Sequence, residues 1–67
     1  MIELTNGNET IVVNPNNIST IVAYAKGNKT GSRLHMNDGS IVLVDEDILD
    51  IMQKIVNSRF GIAEEVQ

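Results

Sequence analysis

The sequence predicts an α+β domain: a four- to five-stranded, mainly antiparallel β-sheet followed by one C-terminal α-helix packed on one face. Three observations carry that expectation. Residues 1–44 alternate apolar and polar side chains with a period of two, broken by Asn- and Gly-rich turns. Asp38-Gly39, between two apolar runs, is the strongest hairpin signal in the chain. At Asp45 the apolar period lengthens to about 3.6, the repeat of a helix.

Each element has a local reason. "MIELT" alternates and reads as the first strand, "NGNE" as a turn and "TIVV" as the second strand. A two-residue Asn6-Gly7 loop would set Leu4 opposite Glu9, whereas a loop from Asn6 to Glu9 sets Leu4 opposite Ile11 and Ile2 opposite Val13. Directly opposed residues share a face, so apolar matching selects the second register. "NPNN" is a turn with Pro15 at its second position. "ISTIVAYA", rich in β-branched residues, is the third strand, "KGNKTG" a loop and "SRLHM" the fourth strand. "IVLV" is the fifth, and a tight Asp38-Gly39 turn pairs Met36 with Ile41, His35 with Val42, Leu34 with Leu43 and Arg33 with Val44.

The helix is expected from about residue 46 to 59, with Asp45 as N-cap, Glu46 and Asp47 in the first turn, and Arg59 near the end before Gly61. Its apolar stripe is Ile48, Ile51, Met52, Ile55 and Val56. That stripe needs a sheet face, supplied by Ile2, Leu4, Ile11, Val13, Ile21, Ala23, Leu34, Met36, Ile41 and Leu43. Residues 1–60 then form one small domain and 61–67 a short acidic C-terminal tail.

A chain of 67 residues buries only about 60% of the surface its unfolded form exposes, and without cysteines no disulfide supplements the core. Self-association is the remaining route to a larger core, with a symmetric dimer as the default. The sheet face left bare by one helix would carry Val12, Val22, Tyr24, Val42 and Val44 beside Arg33 and His35. That is more apolar surface than a small monomer exposes, which makes those five residues the expected oligomer interface. With neither a secretory-type start nor an apolar run near 18 residues, the chain is expected to be cytoplasmic and unattached to membranes.

The net charge of −4 is unevenly spread. Residues 10–37 hold no acid, and Lys26, Lys29 and Arg33 make them +3, whereas residues 38–67 carry −5. The overall sign and the scarcity of aromatic residues count against nucleic-acid binding. The basic segment offers Lys26, Lys29, Arg33 and His35 as charges, with Gly27 and Gly31 for close backbone approach. An acidic protein or an anionic small molecule would suit it, although "KGNKTGS" lacks the spacing of a phosphate-binding loop and opens no helix.

Catalytic and metal chemistry find little purchase. Ser32, His35 and Asp38 have the residue types of a triad, but Ser32 and His35 leave opposite faces of one strand. "DGSIVLVDED" is acidic without calcium-loop spacing, and its apolar centre reads as a strand. No cofactor, no metal and no enzymatic activity are expected.

"MIELTNG", "NPNNISTI" and "LHMNDGSIVLVDEDILDIMQKI" resemble the small FlbD-type flagellar protein family, which has relatives in bacteriophage-like genomes. The similarity spans roughly residues 1–57 and rests on structural features: Asn14-Pro15, Asp38-Gly39 and the helix stripe. The chain departs from the family in a shorter first turn and a longer "YAKGNKTGS" segment. The resemblance implies a small non-enzymatic accessory protein and transfers no catalytic residue. Two functions follow as expectations. One is a self-associating module that binds a protein partner. The other is a phage-type inhibitor or sponge that binds an anionic small molecule, such as a signalling nucleotide, through the basic 26–35 hairpin.

Overall fold

The computed structural model describes residues 1–60. The chain runs β1 (Ile2–Asn6), β2 (Glu9–Val13), a 3-10 turn (Pro15–Asn17), β3 (Ile18–Lys26), β4 (Lys29–Met36), β5 (Ile41–Val44) and α1 (Ile48–Phe60). All strand pairs are antiparallel. The five strands form two sheets, β1-β2 and β3-β4-β5, where the hydrophobic pattern alone suggested one. The architecture is α+β, with the helix last. The acidic tail expected over 61–67 lies outside the described residues.

The first hairpin keeps the register set by apolar matching, Ile2 opposite Val13 and Leu4 opposite Ile11. Its loop is shorter than expected. The ladder continues to Asn6 opposite Glu9, and only Gly7 and Asn8 turn the chain. Gly7 has φ +61° and Asn8 a negative φ, the type II′ arrangement that matches strand twist. The second hairpin repeats the device: Lys26 faces Lys29 and Gly27 (φ +63°) turns the chain, so most of the expected "KGNKTG" loop is strand.

β3 carries a bulge between Ile18 and Thr20. The extra residue, Ser19, ties down by donating its hydroxyl to the His35 carbonyl at 2.9 Å. The bulge lets Ile18, opposite Met36, and Ile21, opposite Leu34, both face the core although three positions separate them. Ala23, expected inside, is exposed.

The third hairpin overturns the expected β4–β5 register. The Met36 amide donates to the Ser40 carbonyl at 2.9 Å and the Gly39 amide to the Met36 carbonyl at 3.0 Å. The loop therefore has three residues, Asn37 to Gly39, with Gly39 at φ +92°; a two-residue Asp38-Gly39 turn was expected. The Asp38 carboxylate stiffens it by accepting from the Ser40 amide (2.9 Å) and hydroxyl (2.7 Å). Leu34 consequently pairs with Val42, Arg33 with Leu43 and His35 with Ile41. A one-residue slip inverts a whole strand. Val44 is 3% exposed and in the core, Val42 packs partly against it, and Ile41 (54%) and Leu43 (38%) point outward.

The core is the meeting of Ile2, Leu4 and Val13 from the small sheet, Leu34 and Val44 from the larger one, and Ile51 from the helix. α1 starts at Ile48, and its N-cap is Asp47, not Asp45: the Asp47 carboxylate accepts from the Asp50 amide at 2.8 Å. The expected five-residue helix stripe is divided. Ile51 is buried and Ile48 and Ile55 half-buried, but Met52 and Val56 are exposed. Each residue advances about 100° around the axis, so Met52 lies roughly 40° and Val56 roughly 80° from Ile48, on the side away from Ile51 and Ile55.

Candidate interaction surface

The three-stranded sheet has an outer face built from alternate residues of each strand. Across it run two complete rows, Thr20–His35–Ile41 and Val22–Arg33–Leu43, and a third pair, Tyr24 opposite Gly31. Val22, Tyr24, Arg33 and His35 are half-buried by their neighbours, while Ile41 and Leu43 are exposed. Within β4 the Arg33 Nε–H donates to His35 Nε2 at 3.2 Å, which turns both basic side chains along the strand. The result is an apolar surface with a fixed cationic centre.

At one end of this face, Tyr24, Lys29, Leu43 and Asp45 help to line a small cleft of about 130 Å³. There the Lys29 ammonium stands 3.3 Å from the Asp45 carboxylate. The Gly7 amide hydrogen bond, 2.8 Å, is the largest influence holding the Asp45 carboxyl below its ordinary range, and Lys29 adds to it while partial burial opposes. Asp38 is likewise held low, by the Ser40 hydroxyl and amide.

The residues expected to cradle an anion are dispersed. Lys26 and Lys29 stand at the hairpin tip, and Arg33 begins roughly 13 Å farther along β4 at strand rise. Lys29 already has Asp45 as counter-ion. Gly31 is buried, and a Cβ on it would overlap the Val44 carbonyl oxygen. The space a glycine leaves there is filled by the chain departing from β5, so it cannot admit a phosphate. Gly27 serves turn geometry, with open space about it.

The expected interface set also divides. Val22 and Tyr24 share the outer face. Val12 is exposed on β2, in the other sheet. Val42 and Val44 belong to the core side, and Leu43 and Ile41 take their places outside. The Ser32–His35–Asp38 grouping is not assembled: the buried Ser32 hydroxyl donates to the Glu46 carbonyl at 2.7 Å, His35 accepts from Arg33, and Asp38 caps its own turn.

Sequence reasoning missed the role of the acids after β5. The Thr5 amide and hydroxyl donate to the two oxygens of Glu46 at 3.0 and 2.9 Å, and the Asn6 amide group donates to the Leu43 carbonyl at 2.8 Å. These acids bind the first hairpin to the second sheet. Helix-start acids have an ordinary explanation in the helix dipole, and nothing in linear spacing joins Thr5 to Glu46.

Among the described residues, no cluster of His, Asp and Glu is arranged to hold a metal ion, and no helix is long and apolar enough to cross a membrane. No protein-family model, curated protein or solved structure matches the chain.

Proposed function

We propose that the protein is a small, non-enzymatic, self-associating accessory module whose outer sheet face binds a protein partner. The observation that carries this reading is the composition of that face: Val22, Tyr24, Ile41 and Leu43 surround Arg33 and His35, and the core uses none of them. Tyr and Arg dominate the energetics of protein contacts because each joins large contact area to directed hydrogen bonds. A partner presenting a carboxylate among aliphatic side chains would complement Arg33. The resemblance to FlbD-type proteins accords with an accessory role in a bacterial or bacteriophage setting. The anion-sponge reading loses support from the paired Lys29 and the filled space at Gly31.

A photo-crosslinking residue at Tyr24, introduced in the native host, tests the proposal. A discrete adduct with one protein is expected, lost when Arg33→Glu or Leu43→Asp is added and absent when the crosslinker stands at Glu9. Adducts that survive both substitutions, or heat on titration with a nucleotide that disappears on Lys26→Glu, would overturn it.

A further inference from the structure

We propose that Asn6 is a deamidation site, and that docking of the small sheet on the larger one holds the reaction back until the junction opens. The inference concerns the link between the two sheets and does not depend on what the outer face binds.

Asn6-Gly7 is the one Asn-Gly step in the chain. An asparagine is labile where the next backbone nitrogen can reach its side-chain carbonyl carbon, and a glycine there puts no Cβ in the way. Every other asparagine precedes a residue with a side chain, and Asn14 precedes Pro15, which has no N–H to lose. In the reaction Gly7 N–H gives its proton to a base from solvent, and the nitrogen bonds to Asn6 Cγ. The Cγ–Nδ2 bond breaks and ammonia leaves, closing a succinimide ring. Water then opens the ring to aspartate or, with the backbone routed through the side chain, to isoaspartate. Water is the only co-reactant.

The fold occupies both reacting groups. Asn6 Nδ2 donates to the Leu43 carbonyl at 2.8 Å, which ties the side chain to β5. Gly7 N–H donates to the Asp45 carboxylate at 2.8 Å, so loss of its proton would set two negative charges side by side. The Asn6–Glu9 pair and the two-residue turn also restrict the backbone rotation that attack requires. The two side-chain contacts both run from the first hairpin to the end of β5, so one local opening releases them together. Neither product can restore them. Aspartate sets a carboxylate against the Leu43 carbonyl oxygen, close to Asp45. Isoaspartate adds a backbone carbon beside a two-residue turn that has no slack. Deamidation therefore converts a transient opening of the junction into a permanent one.

The full chain, incubated at neutral pH with and without concentrated urea, is followed by peptide mapping with mass spectrometry and by isoaspartyl-methyltransferase labelling. In urea Asn6 should convert before any other asparagine. Without urea its conversion should be at least about tenfold slower, because only the opened fraction reacts. Asp45→Ala should raise the rate in the folded chain several-fold and leave the rate in urea unchanged. Glu46→Ala, which loosens the junction through Thr5 and leaves the Asn6 and Gly7 partners in place, repeats the test should Asp45→Ala fail to fold. Asn37, in the third hairpin away from the junction, serves as the internal reference. Equal rates with and without urea would overturn the lock. A slower reaction in Asp45→Ala would make Asp45 the base and not the restraint. A rise shared equally by Asn37 would trace the effect to unfolding of the whole chain and overturn the local opening.

Discussion

The Asp45 amide donates to the Thr5 carbonyl oxygen at 2.7 Å, and through this bond the end of β5 leaves one sheet and meets the other. Around it, Glu46 takes both Thr5 donors, Asp45 takes the Gly7 amide, and Asn6 reaches the Leu43 carbonyl. Two short sheets that share no ladder are thereby held over one core, and the outer face of the larger sheet is left uncovered.

Glu46→Ala should cost about 1–2 kcal/mol of unfolding free energy, because two hydrogen bonds to a charged acceptor disappear at a partly solvated site. Urea denaturation gives the value, and the Thr5 amide should lose its protection from exchange at the same time. Unaltered stability would show that the clamp accompanies sheet docking without contributing to it.

Acid should loosen the same junction. The folded state holds the Asp45 carboxyl below the ordinary value of 3.8, first through the Gly7 amide and then through Lys29. Its contribution is therefore present above that ordinary value and is lost as pH falls through the depressed folded-state value. The unmodified chain should lose stability more steeply below about pH 4 than Asp45→Asn does. Asp38, shifted in the same direction, leaves the variant some remaining slope. Melting curves at a series of pH values decide, and parallel profiles for the two chains would count against the Asp45 contact.

Gly31→Ala should destabilise by roughly 1–3 kcal/mol, since the new methyl meets the Val44 backbone and not a side chain that can swing aside. Thr30→Ala, one exposed position earlier, should remain within about 0.5 kcal/mol of the parent. Equal stability of the two variants would mean that β5 passes Gly31 at a greater distance.

The element order, the helix and the first hairpin's register were legible in the sequence because each rests on local chemistry: period two, then 3.6, and apolar matching of Leu4 with Ile11. The β4–β5 register was not. Asp38-Gly39 fits a two-residue turn, but it equally fits a three-residue loop in which Gly39 takes the left-handed place, and the choice inverts Ile41 to Val44. The bulge at Ser19 and the helix-cap position shifted for a related reason. In each, a short polar residue has several backbone partners within reach, and tertiary contact picks one. Of the surface residues singled out from sequence, Val22, Tyr24, Arg33 and His35 do share a face. Leu43 was misplaced with the register, and Leu49 went unremarked because no sequence pattern marks which apolar helix positions the sheets will leave bare.

The measurement that bears most directly on the central claim, an outer sheet face free of the core, compares Leu43→Asp with Val44→Asp by chemical denaturation. These neighbours point to opposite sides of β5. Leu43→Asp should keep the fold within about 1 kcal/mol of the parent, as exposed substitutions do. Val44→Asp, which forces a carboxylate into the core beside Leu34 and Ile51, should cost more than about 3 kcal/mol and leave the chain largely unfolded. The reverse order, a tolerated Asp at 44 and an unfolded chain with Asp at 43, would contradict the register and with it the binding face.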